Sequence, residues 1–449
     1  MKRLFGTDGV RGVAGVELTS NLAMEIGKAA AYVLTRNKDN VKVIIGNDGR
    51  ESSDMLVAAL KAGLYSLGVS VLDVQLIPTP AISYLVEYYK MDAGIMVTAS
   101  HNSYEYNGIK IFDSNGYKLP DEVEDEIEKC IRDDFDYPVS KIGRPLKERD
   151  ATKDYGNYLL DCVKKYNPNV SFSSLNIAID ASNGAASNVS EYVYSKLGCN
   201  YHIINNRPNG TNINDKCGSM YPEVLGEYVV KNKLDVGVCY DGDADRAIFI
   251  DNLGNIIDGD YAMSIIGLDL KKKDKLNNNT IVGTVMNNLG FINFCKDNDI
   301  DFMATKVGDR YVLEELKLGG FSLGGEQSGH VILKDYANTG DGELTSLILF
   351  SILADSSIKL SDLSNIMIKY PQVLINVKIS NDKKSDFYMN DKIKNSIIKF
   401  EDLLGTDGRV LVRPSGTEPL IRVMLEGKDL ELINKYAKEI ADVIGNELN

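Results

Sequence analysis

The sequence predicts an α/β protein: three similar α/β domains with mixed, mostly parallel sheets, followed by a C-terminal α+β domain. Three observations carry that prediction. Short apolar strands alternate with helical stretches, the pattern of βαβ units and a parallel sheet. The alternation restarts near Asn176 and near Thr280, and a strand, a polar turn with Gly or Asn, and a helix recur at Asn47-Asp-Gly49, Ser182-Asn-Gly184 and Asn287-Asn-Leu-Gly290, which marks related units. Past Tyr370-Pro371 the order of elements changes. At 449 residues the chain exceeds one core and fits three or four domains of about 100–150 residues. The expected domains are 1–150, 151–254, 255–368 and 369–449.

Taken in order, the first domain is expected to hold strands over Val41–Ile45, Val69–Val74 and Ala93–Val97, and helices over Ser53–Ser66, Ala81–Tyr89 and Asp121–Arg132. A loop rich in proline and charge closes it at Pro145. The second domain has strands Ile177–Asp180, Tyr201–Ile204 and Leu234–Tyr240, with helices ending at Lys196 and spanning Pro222–Lys231. The third opens with strand Thr280–Val285 and a helix from Leu289. The last has strand Val373–Ile379, helix Asp391–Glu401, two strands flanking Arg413–Pro419, and a final helix Leu430–Leu448.

Composition narrows the function. A net charge of −14 opposes non-specific binding to nucleic acid, although a local basic cleft still suits an anionic metabolite. No apolar run approaches the roughly 18 residues of a membrane span. The beginning lacks the apolar centre of a signal peptide, and the six cysteines form no Cys-x-x-Cys pair, so a cytoplasmic chain with reduced thiols is expected.

Five stretches concentrate reactive side chains. Thr98-Ala-Ser-His-Asn-Ser-Tyr-Glu-Tyr-Asn-Gly-Ile-Lys110 follows the strand Ala93–Val97, placing Ser100 and His101 at a strand's carboxyl end, where open α/β sheets bind ligands. Asp241-Gly-Asp-Ala-Asp-Arg246 offers carboxylates at i, i+2 and i+4; in an extended loop these share one face and converge on a hard cation. An EF-hand is excluded by Arg246 and Asn252 at its sixth and twelfth positions, whereas Mg²⁺ in phosphoryl transfer suits three carboxylates with room for a phosphate oxygen. Gly324-Gly-Glu-Gln-Ser-Gly-His330 combines groups that suit a polyhydroxylated sugar. Glu326 stands where a nucleophile elbow requires glycine. Arg413-Pro-Ser-Gly-Thr-Glu-Pro419, with Arg422 nearby, supplies the donors of an anion nest. Phe5-Gly-Thr-Asp-Gly-Val-Arg-Gly12 adds a tight loop whose Arg11 can reach an anion.

Adjacent residues of an extended segment point to opposite faces, which places His101 badly for deprotonating Ser100 and disfavours a hydrolytic serine. A cation site and two phosphate-friendly loops instead suggest that Ser100 carries a phosphoryl group. Two anion sites on different domains mean a substrate held at one end while the other end reacts.

With these motifs in order, and with Val307-Gly-Asp-Arg-Tyr-Val312 beside them, the whole chain resembles the α-D-phosphohexomutase superfamily. The resemblance implies a phosphoserine at Ser100 and one Mg²⁺ per chain on Ser100, Asp241, Asp243 and Asp245. It implies sugar contacts from Glu326, Ser328 and the Gly308, Asp309, Arg310 loop, and phosphate contacts from Arg413, Ser415, Gly416, Thr417 and Arg422. The catalytic set is Ser100, His101, Lys110, Arg246, His330 and Arg11, with Lys110 and His330 both open as general acid or base. The implied architecture is four domains around a central cleft, the last domain mobile.

The implied reaction interconverts hexose 6- and 1-phosphates through a bisphosphate. The glutamine of Gly-Glu-Gln-Ser-Gly-His and the Val307–Val312 loop point to glucosamine, on the route to UDP-N-acetylglucosamine and cell-wall precursors. Mannose or glucose phosphates with the same mechanism are the alternative, ahead of a metal-dependent phosphatase or a non-catalytic sugar-phosphate-binding protein. Small sugar phosphates are the expected partners, with no nucleic acid and no membrane; a homodimer is left open. The chain departs from the superfamily pattern at Ser103 for a usual proline, Ala244 for a usual glycine, and Asn47 for a usual arginine.

Overall fold

The computed structural model describes residues 3–448 except 7, 37, 134, 139, 140, 357 and 416–418. Four sheets form, and packing gathers the chain into two compact units, Met1–Met286 with Asp299–Ile366, and Asn287–Asn298 with Met367–Asn449.

The first unit holds three sheets built to one plan. In the first, Lys42–Asn47 pairs in parallel with Ser70–Leu76 on one side and Ala93–Val97 on the other; Ala93–Val97 then pairs antiparallel with Tyr106–Phe112, and Val10–Val13 adds an antiparallel edge. The second repeats this with Asn176–Asp180 between Asn200–Ile204 and Val236–Tyr240, and Ala247–Ile250 as the antiparallel return. The third repeats it with Thr280–Thr284 between Asp301–Thr305 and Leu323–Gly325, and Val331–Leu333 returning. The expected threefold relation is therefore present in the strand order itself. One consequence matters for function: the loop joining the third parallel strand to its antiparallel partner carries Ser100 in the first sheet, Asp241–Asp245 in the second and Glu326–Ser328 in the third.

The central strands are apolar and wholly buried, as in Ala93–Val97 and Val236–Tyr240, because helices cover parallel sheets on both faces. Helix starts are fixed by side-chain caps. Thr19 accepts from the Leu22 N–H ahead of Ser20–Thr35, and Asp150 accepts from the Lys153 N–H ahead of Ala151–Tyr166, each satisfying a donor the helix leaves free. The domain-closing loop does more than link. Val71 donates its N–H to the Arg144 carbonyl and accepts the Leu146 N–H on its own carbonyl, which extends the first sheet's edge by a short parallel bridge at Pro145.

In the second unit, Gln372–Lys378, Leu420–Gly427 and Gly408–Pro414 form an antiparallel sheet backed by Asp391–Leu404 and Leu430–Leu448. Helix Leu289–Asp297, which chain order assigns to the third sheet's crossover, packs in this unit instead. Glu426, fully buried, accepts from the Asn288 side chain at 3.0 Å and the Leu289 N–H at 2.9 Å, and pairs with Arg409 at 2.8 Å. That ion pair and the helix N-terminus hold the helix against the C-terminal sheet.

Candidate active site

The Ser100 and aspartate loops are turns, not the extended segments that spacing implies. Ser100 is not extended: its φ is +54°, a left-handed conformation that a non-glycine residue adopts at about 1–2 kcal/mol. His101 is consequently not on the opposite face, and its Nδ1 lies 3.4 Å from Ser100 Oγ. The serine proton nevertheless goes elsewhere, to Asp241 Oδ2 at 2.7 Å. Arg246 Nη1 also approaches His101 Nδ1 at 3.4 Å, and burial, with Arg246 and Arg11, pushes His101 down to about 4. The imidazole is neutral.

The strained loop is held by buried partners. Thr98 Oγ1 accepts from the Ser100 N–H at 2.9 Å and donates to Asp48 at 2.6 Å. Asp48 and Arg50 form a fully buried pair at 2.8 Å, and Arg50 donates to the Ser100 carbonyl at 2.8 Å and to the Ser103 carbonyl. Asn214 donates to the Ser100 and Asn102 carbonyls at 2.9 and 3.0 Å. Gly242 leaves no room for a side chain, since a Cβ there would stand 2.6 Å from the Ser100 carbonyl oxygen. Asn47, in place of the usual arginine, spends its side chain on the Gly49 N–H at 2.9 Å.

The three aspartates do converge, but by a turn instead of strand alternation. Ala244 sits at φ +55°, its N–H donates to the Asp241 backbone carbonyl at 3.0 Å, and its own carbonyl accepts from the Gly342 N–H at 3.0 Å. Ligand oxygens from Asp241, Asp243 and Asp245 all lie within 4.8 Å of one another, and all three residues are buried. Burial and the charges of Asp245 and Asp243 raise the Asp241 pKa well above the carboxylate range. Asp243 Oδ1 and Asp245 Oδ1 are buried with no hydrogen-bond partner among the described residues. Orphaned carboxylate oxygens facing like charges fit a bound divalent cation.

Lys110 is the counter-charge that the chain itself supplies. Its buried Nζ lies 2.8 Å from Asp243, 3.4 Å from Asp245 and 3.5 Å from Asp8. Burial works against its charge, but these carboxylates hold its pKa above the ordinary lysine value. Thr79, which the sequence does not advertise, donates its hydroxyl to Asp243 at 2.6 Å and its N–H to the Asp243 carbonyl at 2.9 Å.

His330 accepts the Gly340 N–H on Nε2 at 3.1 Å and turns Nδ1 toward Asp245, 3.7 Å away. Burial opposes its protonation, while Asp245, Asp309 and Glu326 raise its pKa overall. Because the Gly340 bond needs a lone pair on Nε2, each protonation of that nitrogen sacrifices a buried hydrogen bond. Glu326 accepts from the Gly308 N–H at 3.1 Å and Ser328 is exposed. Asp309 meets Lys118 at 2.6 Å, and Arg310 donates to the Leu119 carbonyl at 2.9 Å and pairs with Asp121. Arg11 pairs with Asp8. Ser100, the aspartates, Lys110, Arg246, Glu326 and His330 all belong to the first unit.

In the second unit Arg413 and Arg422 are direct cross-strand partners, and burial, with Arg422, lowers the Arg413 pKa. Like charges opposite one another on a sheet are unfavourable unless an anion joins them. Ser415 is buried, and its carbonyl accepts from Lys384 at 2.7 Å. Gly416 and Thr417 lie outside the described residues.

The chain matches four successive phosphoglucomutase/phosphomannomutase domains: alpha/beta/alpha domain I over residues 2–137, domain II over 153–254, domain III over 258–370 and the C-terminal domain over 374–443. It belongs to this family, within the α-D-phosphohexomutase superfamily. Members are isomerases that transfer phosphoryl groups. Curated relatives include the phosphoglucosamine mutases of Thermoanaerobacter sp. (strain X514), 50% identical over 451 residues, and of Clostridium botulinum (strain Kyoto / Type A2), 48% identical over 453, each comparison covering 100% of both chains. Among solved structures, a phosphoglucomutase/phosphomannomutase family protein of Burkholderia thailandensis superposes with TM-score 0.81 at 24% identity, over 99% of this chain and 97% of that one. The N-acetylphosphoglucosamine mutase of Aspergillus fumigatus, solved with GlcNAc-6P and magnesium, gives 0.70 at 16% identity, over 99% and 96%. These two share the fold. Among the described residues no single helix is long and apolar enough to cross a membrane, and the six cysteines are free.

Proposed function

We propose that this phosphohexomutase interconverts glucosamine 6-phosphate and glucosamine 1-phosphate through phosphorylated Ser100 and a glucosamine 1,6-bisphosphate. The observation that carries the chemistry is the 2.7 Å contact between Ser100 Oγ and Asp241, one of three converging buried carboxylates: a nucleophile and a cation site meet at one point. The full-length relatives near 50% identity carry the choice of sugar.

Asp241, Asp243 and Asp245 would hold Mg²⁺, which when bound neutralises charge on the transferring phosphoryl group. The chain's own residues do the rest. Ser100 gives a phosphoryl group to the free sugar hydroxyl, and after the bisphosphate turns over it takes back the other one. Lys110 is the proton carrier: its Nζ is buried 2.8 Å from Asp243, and a cation on the aspartates would weaken the attraction that holds its proton, whereas the Nε2 of His330 is engaged by Gly340. Neutral His101 and Arg246 orient Ser100, Glu326 and Ser328 read sugar hydroxyls, and Arg413 with Arg422 binds a phosphate dianion.

The deciding experiment compares kcat/KM for glucosamine, glucose and mannose phosphates on one preparation. Glucosamine phosphate is expected to be preferred. A higher value for glucose or mannose phosphate would move the assignment to the phosphoglucomutase or phosphomannomutase reading.

A further inference from the structure

Lys118 lies outside every motif that composition and spacing single out. Its side chain is 15% exposed, and Nζ stands 2.6 Å from Asp8 Oδ1 and 2.6 Å from Asp309 Oδ2. One ammonium thus joins the N-terminal loop to Asp309, 191 residues from Lys118 in sequence; the stretch Val307–Val312, read as a loop from the sequence, is a bend at Val307–Gly308 running into helix Asp309–Gly319. Neighbouring ties run the same way. Arg310 donates to the Leu119 carbonyl at 2.9 Å, Asn338 donates to the Asn115 carbonyl at 2.9 Å, and the Lys317 ammonium lies over the Tyr117 ring at 4.0 Å. The exposed contacts each contribute little. Lys118 differs because it is largely withdrawn from water and compensates two carboxylates at once.

Its loss would affect the two acids unequally. Asp8 keeps Arg11 and, at 3.5 Å, Lys110. Asp309 keeps the Arg310 N–H on Oδ1 at 2.9 Å, but the Oδ2 that Lys118 binds is left facing His330 Nε2 at 3.7 Å, the nitrogen whose lone pair takes the Gly340 N–H. A carboxylate oxygen so placed turns to water and draws with it the first turn of its helix, Asp309–Gly319, and the Val307–Gly308 bend before it. That bend also fixes Glu326, through the Gly308 N–H, and Gly308 at φ +133° gives it a backbone pivot.

We propose that Lys118 is a positioning residue for sugar recognition: by clamping Asp309 to Asp8 it holds the start of helix Asp309–Gly319 and the Val307–Gly308 bend, and through the Gly308 N–H the Glu326 carboxylate, where the sugar is read. The proposal rests on the reading of Glu326 as the sugar contact.

The test uses the full-length enzyme with Lys118→Met, Lys118→Gln and Lys118→Arg. Amide hydrogen exchange over residues 306–312, without substrate, should be faster in the Met variant and near wild type in the Arg variant. KM for glucosamine 6-phosphate should rise about tenfold or more, the loss expected for one charge-assisted tether. By contrast kcat should fall less than about threefold, and the fraction of Ser100 phosphorylated should hold. If Met does not fold, Gln carries the same comparison. Unchanged amide exchange, an unchanged KM, or loss of kcat alone would overturn the proposal, as would failure of both Met and Gln to fold beside an active Arg variant. Absence of glucosamine phosphate turnover in the wild type would instead overturn the assigned function, with amide exchange still deciding the clamp.

Discussion

Lys110→Met removes an ammonium from among Asp243 at 2.8 Å, Asp245 at 3.4 Å and Asp8 at 3.5 Å while keeping most of the apolar stem. In the metal-free enzyme this takes the cationic partner from the buried Asp243 carboxylate, while Asp8 keeps Lys118 and Arg11 and Asp245 keeps Arg246 and His330, and breaking a buried pair by removing one partner costs about 3–5 kcal/mol. For a large cooperative unit that is a fall in Tm of about 5–10 °C. The effect on the cation has the opposite sign, because Lys110 competes with it for Asp243. Two unit charges about 4 Å apart interact by about 4 kcal/mol at an effective dielectric of about 20. Recovering a third of that tightens Mg²⁺ binding about tenfold. The assay is thermal unfolding in chelator and in excess Mg²⁺, calorimetric Mg²⁺ titration, and mutase turnover on the same preparation. The variant should unfold early in chelator, regain most of its Tm with Mg²⁺, bind the ion more tightly, and lose turnover by about a hundredfold or more. Wild-type Tm in chelator with unchanged Mg²⁺ affinity would show that Lys110 is not the counter-charge of the cation site.

Ala244→Gly relieves a left-handed turn costing about 1–2 kcal/mol, less about 0.5–1 kcal/mol for the greater freedom of the unfolded chain; urea unfolding should show a slight gain in stability, and a loss would mean that the turn is not held at φ +55°. His101 sits at about 4 in the fold against about 6.5 when unfolded, so the unfolded chain gains a proton that the fold refuses. Its contribution is complete above pH 6.5 and declines as pH falls toward 4. His101→Gln should therefore show a smaller loss of urea midpoint than wild type over that window in metal-free, dephosphorylated protein, and parallel curves would contradict the neutral imidazole. Arg413→Ala should weaken sugar-phosphate affinity roughly tenfold to a hundredfold and leave Mg²⁺ affinity intact; the reverse result in calorimetry would place Arg413 at the wrong function.

Dense chemistry made the reactive loops legible. Three aspartates at alternate positions, a serine and histidine at a strand end, and Glu326 with His330 each pack several reactive groups into a few residues, and the structure brings these together. The first sheet's helices Ser53–Ser66 and Asp121–Arg132 likewise stand where the sequence places them, although neither start carries a side-chain cap. Gly342–Ser356 did not, because Leu344, Leu347, Ile348, Leu349, Phe350, Ile352 and Leu353 are buried all round it, and a helix without a polar face has no 3.6-residue signature. Positioning residues stayed hidden for a different reason. Asp48, Arg50, Thr79, Asn214 and Lys118 are ordinary residue types whose role exists only through partners about 50 to 190 residues away. Backbone conformation was hidden too: spacing alone implied extended loops, whereas Ser100 and Ala244 both take left-handed turns. A glycine at 244, as the superfamily pattern has it, would have announced the turn; alanine conceals it.

A Ser100 that carries the exchanging phosphoryl group beside the aspartate cation site is detected by peptide mass spectrometry of the enzyme after exposure to glucosamine 1,6-bisphosphate and Mg²⁺, run beside Ser100→Ala and a chelator control. Phosphate is expected on Ser100 and absent from the variant, with no measurable mutase turnover by the variant or in chelator. Phosphate located on another residue, or near-native turnover by Ser100→Ala, would contradict that role for Ser100.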